Sequence, residues 1–250
     1  MRQRDSAAVW SNAAILSDGH CRTGMRSPFN WRAPFIWRVP HQTSHVARSS
    51  REIQKMNIAA GTDPFELFQS WYDEAVAAEI NDPDAIALAS VDPDGMPSVR
   101  MVLLRQWSDE GFFFFTNYES RKSGELLATG KAAFCLHWKS LRRQIRVTGA
   151  VSKASAARSD DYFASRGRGS RIGAWASAQS RPLESRDALA AEVAAVEARF
   201  PDDVPRPLHW GGFQIVPQEI EFWHDGEHRL HDRFRFTRDG KGGWDIQRLN

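Results

Sequence analysis

Cysteine is nearly absent: Cys21 and Cys135 are the only two in 250 residues, too few for a disulfide framework and no basis for a zinc site. A reducing, cytoplasmic compartment is the expectation. Long apolar runs are also missing. None approaches the ~18 residues of a membrane span, and no secretory hydrophobic region opens the chain. Net charge is scarce as well, at +2 from 33 Lys and Arg against 31 Asp and Glu. The small excess is uneven, because residues 1–55 hold nine basic and three acidic side chains, which leaves 24 against 28 in the rest. A nucleic-acid partner inferred from the basic pI would rest on that leading segment, so none is expected. What the chain does have is 42% apolar residues, enough to bury a full core.

Residues 1–55 carry scattered Trp10, Trp31 and Trp37, with prolines at 28, 34 and 40, and sustain neither a period of 2 nor one of 3.6. They are not expected to fold. Their Arg- and Ser-rich composition resembles a transit peptide without its amphipathic helix; a disordered tail is a better reading, and a true start at Met56 the first one. The expected division is thus a basic extension over 1–55 and one domain over 56–250.

The domain opens with a helix. Asp63 suits the N-cap, Pro64 the first helical position and Glu66 the capping-box position, while Phe65, Phe68, Trp71, Ala75 and Ala78 follow at helical spacing. Asn81 to Asp84 ends it. Ala85 to Val91, Ser98 to Arg105 and Gly111 to Thr116 then read as three strands of a meander, with Asp92 to Gly95 as a turn. In the second strand Arg100 shares a face with Val102 and Leu104, and Arg105 shares the other with Met101 and Leu103. Each face of an otherwise apolar strand therefore carries an arginine, and a buried arginine needs an anionic partner. A helix beginning near Ser120 brings Thr116, Arg121, Lys122 and free backbone N–H groups to one N-terminus, a ready phosphate site. Ala132 to Trp138 and Leu141 to Val151 form a hairpin whose polar face, Arg142, Gln144, Arg146 and Thr148, lines either solvent or a ligand.

Ser155 to Ser165 is a short helix carrying Tyr162, followed by Arg166 to Gly173, read as a Gly-rich basic loop. Its G-x-G-x-x-x-G spacing, with no strand ahead, is not a dinucleotide fingerprint, but such a loop can cradle a phosphate through backbone amides. Ser185 to Phe200 is a further helix, Pro201 to Pro207 a linker, and Trp210-Gly-Gly-Phe213 the start of the last strands. Gln214 to Phe222 is a strand broken by Pro217, and Phe234 to Phe236 alternates again. Between them Trp223 to Arg233, WHDGEHRLHDR, reads as a hairpin connection at a sheet edge, too charged for a core. A zinc site on His224, His228 and His231 is not expected, since no cysteine assists and the neighbouring arginines would repel a dication.

RMVLLR (Arg100 to Arg105), TN with SRK (Thr116 to Lys122), WKSLRRQIRVTG (Trp138 to Gly149), the pattern YFxSRxRxSxIGAWxSxQS from Tyr162 to Ser180, and RLHDR behind EFW together resemble the pyridoxamine 5'-phosphate oxidase family. The resemblance covers about three quarters of the chain. It implies a mainly β fold, an FMN-binding split barrel of antiparallel Greek-key type with six to eight strands and peripheral helices, assembled as a homodimer. It implies FMN as cofactor, held by Arg100, Met101, Val102, Leu103, Leu104, Arg105, Phe115, Thr116, Arg121, Lys122, Gln144, Gln179, Ser180, Trp223 and Arg233. The substrates it implies are pyridoxamine and pyridoxine 5'-phosphate, held by Arg105, Tyr162, Arg166, Ser170, Arg229, Leu230 and His231, with Arg229 and His231 catalytic and Arg168 an additional cation. Asp82 matches a family aspartate sometimes given an assisting role, though a helix-ending turn explains it as well. In that family hydride leaves the substrate's C4' carbon for the flavin, and O2 is the final oxidant. Two departures stand out, Arg105 where lysine is common and Phe115 where tyrosine is, and the family's basic N-terminal lid has only a faint echo in residues 50–55. A sibling flavin oxidase of the phenazine-biosynthesis type and a non-catalytic carrier of FMN or pyridoxal phosphate are the competing readings.

Overall fold

The structure, a computed structural model, describes residues 58–250; the readings of residues 1–55 and of Met56 as a start lie outside the described residues. Helix α1 spans Pro64–Ala78, and Asp63 caps it by accepting from the N–H groups of Phe65 at 2.7 Å and Glu66 at 3.2 Å. Eight strands follow: β1 Ala85–Val91, β2 Pro97–Ser108, β3 Gly111–Asn117, β4 Lys131–Trp138, β5 Arg143–Lys153, β6 Trp210–His224, β7 Asp232–Arg238 and β8 Trp244–Leu249. Helix α2 (Arg121–Thr129) separates β3 from β4, and α3 (Ala156–Ser165), α4 (Arg168–Ala176) and α5 (Arg186–Arg199) lie between β5 and β6.

All pairings are antiparallel in the order β3-β2-β1-β4-β5-β6, and β3 also pairs with β6, which closes a six-stranded barrel and leaves no edge there. β7 and β8 continue the sheet beyond β6. The fifteen-residue β6 makes this possible by changing partners along one side. Its first half pairs with β3, from Trp210 opposite Asn117 to Ile215 opposite Phe112; its second half pairs with β7, from Glu219 opposite Thr237 to His224 opposite Asp232. Pro217 sits at the exchange and does not break the strand as its lack of an N–H suggested. The register with β5 slips there, and Pro217 lies opposite Gly149, where any Cβ would fall 2.1 Å from the Val216 carbonyl oxygen.

The barrel interior is filled by Phe112, Phe114, Phe134, Leu136, Ile145, Val147, Phe213, Ile215, Ile220, Phe222 and Phe236. Helix α1 covers it: Phe68 packs edge-on against Phe112 and Trp107, each at 5.1 Å, and Trp71 against Phe222 at 5.2 Å. Four consecutive phenylalanines in β3 are buried or nearly so because both faces are covered. Phe112 and Phe114 point into the barrel; Phe113 lies under the Arg158 guanidinium at 3.9 Å, and Phe115 stacks on Tyr162 at 4.0 Å, both partners from α3. The Gly-rich stretch after Arg166 is a helix, not a loop. Ile172 of α4 buries against Val196 of α5 and Val204, and the Trp175 indole donates to the Pro205 carbonyl at 2.7 Å, so packing outweighs the helix's two glycines, Gly169 and Gly173. The hairpin between β6 and β7 is interior to the sheet order, since β8 covers β7. None of the described helices is long and apolar enough to cross a membrane.

Candidate active site

The pleat of β2 separates its two arginines. Arg100 turns inward beside β1, while Met101, Leu103 and Arg105 turn outward, and Val99 and Met101 stay 68% and 63% exposed. Against this outer face lies a cavity of about 700 Å³, within the usual range for a ligand site. Of the sequence-predicted residues, Met101, Val102, Leu103, Arg105, Phe115, Thr116, Lys122, Tyr162, Arg166, Ser170 and Gln179 line it. Sequence reasoning missed Asn117, Gly167, Gly173, Ala174, Ser177 and Trp210, which line it too. Gly167 and Gly173 carried a signal in the Gly-rich stretch, Asn117 in the TN pair and Trp210 as the aromatic ahead of a Gly-Gly pair; Ala174 and Ser177 carried none of their own.

The predicted cations do not all face the cavity unpaired. Arg100 donates to Glu125 Oε2 at 3.0 Å, to Ser98 and Ser90 Oγ at 2.5 Å each, and to the Leu88 carbonyl at 3.2 Å. Arg121 Nε holds the other oxygen of Glu125 at 2.8 Å, and Arg105 pairs with Asp84 at 2.7 Å. Glu125 is buried, which alone would raise its carboxyl; donation from Ser90, Ser98 and Arg121 with the nearby Arg100 charge reverses this and brings it down to about 2. Arg168 turns away from the cavity, donating to the carbonyls of Asp202 and Phe200, which corrects its reading as a phosphate ligand.

Two cations remain without a carboxylate. Lys122 Nζ donates to Thr116 Oγ1 at 2.9 Å, Gln179 Oε1 at 2.9 Å and Ser120 Oγ at 3.1 Å, all neutral acceptors. Burial, with Arg100 nearby, lowers its ammonium to about 8. It stands on the first turn of α2, where Ser120 does not cap; the Ser120 hydroxyl is turned to the Asn117 carbonyl at 2.8 Å. Arg166 lies 4.6 Å over the Trp210 ring and 5.6 Å from Phe163, and its Nη1 is buried without a hydrogen-bond partner. Burial lowers its pKa as well. It immediately precedes α4, whose N-cap Gly167 offers no side-chain acceptor and whose first turn brings Ser170 to the cavity. Each free cation thus sits at an uncapped helix N-terminus, and the two share one cavity.

The remaining predicted residues assemble elsewhere. Gln144, Trp223 and Arg233 are direct partners across β5, β6 and β7 and form one row on the outer face. Trp223 packs on His231 at 4.6 Å, and Arg233 Nε donates to buried Glu221 at 2.8 Å. Asp225 ties the loop together by pairing with both Arg142 and His231. His231 Nδ1 lies 3.2 Å from the Gly226 N–H and 3.1 Å from Asp225 Oδ1, so it accepts from the first when bare and donates to the second when protonated. His228 and Arg229 both have left-handed backbones, φ 55° and 64°, and Arg229 and Leu230 are exposed. Arg142 also sits in a turn, at φ 53°, outside the strand that sequence placed it in. None of these hairpin residues lines the cavity. Nor do Arg100, Leu104, Arg121 and Ser180, the last at φ 68° just beyond Gln179. From Trp210 at the cavity to Trp223 in the row, β6 runs about 40 Å at ~3.3 Å per residue. Among the described residues no group of three or more His, Cys, Asp and Glu could hold a metal, so the three histidines of the hairpin form no such cluster.

Comparison with known proteins gives the family. A family model described as pyridoxamine 5'-phosphate oxidase matches residues 72–200, and one for the pyridoxine 5'-phosphate oxidase C-terminal dimerisation region matches 210–250. Pyridoxine/pyridoxamine 5'-phosphate oxidase of Mesorhizobium japonicum is 55% identical over 80% of this chain and 98% of its own; that of Cereibacter sphaeroides is 58% identical over 79% and 100%. Among solved structures, PhzG of Burkholderia lata in complex with tetrahydrophenazine-1-carboxylic acid superposes with a TM-score of 0.72 at 31% identity, over 78% of this chain and 99% of that one. An FMN-binding protein of Nostoc punctiforme related to pyridoxamine 5'-phosphate oxidase shares the fold, with a TM-score of 0.62 at 17% identity over 78% and 100%. On these family models and relatives, the chain belongs to the pyridoxamine 5'-phosphate oxidase family of enzymes.

Proposed function

We propose that this enzyme binds FMN and oxidises pyridoxamine 5'-phosphate and pyridoxine 5'-phosphate at C4', giving pyridoxal 5'-phosphate while O2 is reduced to H2O2. The observation that carries the reading is the pair of carboxylate-free cations, Lys122 and Arg166, at two uncapped helix N-termini of one cavity. Two phosphate monoesters, each near −2 at neutral pH, need two such sites. Lys122, Thr116, Gln179 and the first turn of α2 hold the FMN phosphate. Arg166, Tyr162, Ser170 and the first turn of α4 hold that of the substrate. Arg105 serves beside them while paired with Asp84, and Arg100 and Arg121 support the FMN end from their Glu125 anchor. When bound, FMN supplies the two-electron acceptor.

The hairpin completes the site from a second copy of the chain. A dimerisation-region model over 210–250 and the exposed outer face of β2, with Val99 and Met101, support this assembly. In it Gln144, Trp223 and Arg233 belong with the flavin, and Arg229, Leu230 and His231 with the pyridine ring. His231 takes the proton from the C4' oxygen or nitrogen, and Arg229 stabilises the charge that develops there. The alcohol needs only O2 to balance; the amine also consumes water and releases ammonia. In this role the proton arrives at Nε2 of His231, while Nδ1–H is held on Asp225 Oδ1 at 3.1 Å.

The visible spectrum tests the whole reading. A yellow protein that bleaches with pyridoxine 5'-phosphate under anaerobic conditions, then recovers in air with pyridoxal 5'-phosphate formed, is the expected result; a protein that cannot take up FMN would overturn it. One observation favours a second reading: the 31% identity to PhzG in complex with tetrahydrophenazine-1-carboxylic acid raises a reduced phenazine of that type as substrate. Bleaching by reduced phenazine precursors and not by pyridoxine 5'-phosphate would select it.

A further inference from the structure

We infer that Trp210, which no sequence signature assigned to the site, is the positioning residue for the substrate-phosphate arginine: it holds Arg166 by the face and leaves its N–H edge open. The inference rests on the function proposed above. A guanidinium carries its five donors in its plane, so an acid that pairs with it consumes the edge, whereas an aromatic ring beneath it consumes none. The other arginines of the site illustrate the first case. Arg100 spends its edge on Glu125, Ser90, Ser98 and the Leu88 carbonyl, and Arg105 on Asp84. Arg166 illustrates the second, lying 4.6 Å over Trp210 with Nη1 buried and unpartnered.

Trp210 is itself fixed. It is 6% exposed, and its ring lies nearly parallel to Phe115, at 5.8 Å and 13°, and to Tyr162, at 6.2 Å and 7°. Phe163 closes on it edge-first at 5.0 Å. The two following glycines permit this arrangement. A Cβ at Gly211 would meet the Tyr118 hydroxyl at 2.2 Å, and one at Gly212 the Phe115 ring at 2.9 Å, so Gly-Gly lets both rings lie against β6. Arg206 anchors the strand end by donating to the Trp210 carbonyl at 2.7 Å. The WGGF stretch is thus the foundation of a platform of three rings on which one cation waits for an anion.

The test is a double-mutant cycle in the FMN-loaded enzyme with pyridoxine 5'-phosphate. Trp210→Phe keeps a weaker face and is expected to raise KM roughly fivefold; Trp210→Leu removes the face and is expected to raise it roughly twentyfold or more, with kcat within about twofold in both. In an Arg166→Ala background either change should leave KM where Arg166→Ala alone puts it, because the residue being positioned is gone. A merely structural tryptophan would add its effect in both backgrounds, and that result overturns the inference. So does a Trp210→Phe enzyme, folded and flavin-loaded as judged by its melting curve and spectrum, that loses kcat at unchanged KM. A wild-type enzyme inert toward pyridoxine 5'-phosphate overturns the proposed function and the inference together, whereas additivity in an active enzyme sinks the inference alone.

Discussion

The cavity and the β6–β7 hairpin handle charge in opposite ways. At the base of the hairpin charges are matched on the same chain: Arg233 with Glu221, His231 and Arg142 with Asp225, Arg248 with Asp232. At the cavity Lys122 and Arg166 meet only neutral acceptors or aromatic faces. A paired network fixes geometry, since removing either partner strands the other. An unpaired cation does the reverse and marks where a ligand must bring its own negative charge. Glu227 and Arg229 have no such partner among the described residues and lie exposed, with Leu230, at the apex of a loop whose backbone is left-handed at His228 and Arg229. Their exposure beside a paired base is what the proposed completion of a neighbour's site would need.

The largest expected effect tests that division directly. His231→Ala should lower kcat by about 10²-fold or more, the usual contribution of a positioned acid–base group, with FMN retained. Gly226→Ala should approach the same loss without touching a reacting group, because its Cβ would fall 1.8 Å from the Leu230 carbonyl oxygen and displace the loop. A shared site makes a sharper demand. Assayed at pyridoxine 5'-phosphate well below KM, where both parent dimers are nearly inactive, a mixture of His231→Ala and Arg166→Ala chains should recover about a quarter of wild-type activity, since random pairing leaves one intact site in each mixed dimer. No recovery on verified chain exchange would place both halves of the site on one chain.

Arg166→Ala comes next. It should weaken pyridoxine 5'-phosphate by roughly 10- to 100-fold, the range of one or two charge-assisted hydrogen bonds, while the flavin spectrum and FMN affinity stay unchanged. Loss of flavin instead would mean that the two phosphate ends of the cavity have been exchanged in the assignment.

Which of these groups sequence could find follows a physical rule. The α1 cap at Asp63, the β1–β2 turn and the alternation of Arg100 and Arg105 depend on contacts a few residues apart, and they stand as expected. The α2 N-terminus with Lys122 was legible for the same reason. Helix α4 was not, because its glycines disfavour a helix locally and its support comes from Val196 and Val204, more than twenty residues downstream of Ile172. The passage of β6 through Pro217 depends on Gly149 across the sheet, and Trp210 became a site residue only when α3 brought Tyr162 and Arg166 to it. Hardest to foresee was that Arg100 and Arg121 share one buried glutamate as partner. Glu125 lies four residues from Arg121 on α2, but Ser90, Ser98 and Arg100 reach it from β1 and β2. Resemblance supplied the names of the site residues; only the fold separates the cations that are free from those that are spent.

The smallest effect separates the two phosphate ends by titration. Lys122 has its ammonium lowered to about 8 by burial and by Arg100, whereas an arginine stays protonated throughout the accessible range. Below pH 8 Lys122 is charged and FMN affinity should be flat. Above it, FMN binding must be accompanied by proton uptake, and affinity should fall by up to about tenfold per pH unit. Stability of the flavin-free protein should move the other way. The folded-state value lies below the ordinary 10.5 of lysine, so between about 8 and 10.5 the folded chain binds fewer protons than the unfolded one, and folding gains as pH rises. Lys122→Arg should flatten both profiles and retain FMN. Substrate affinity at the Arg166 end should stay level over the same window. Fluorescence titration of FMN from pH 7 to 9.5 reads the first profile; an affinity that does not change across it would remove Lys122 from the phosphate site and leave that role to the Arg100 and Arg121 pair.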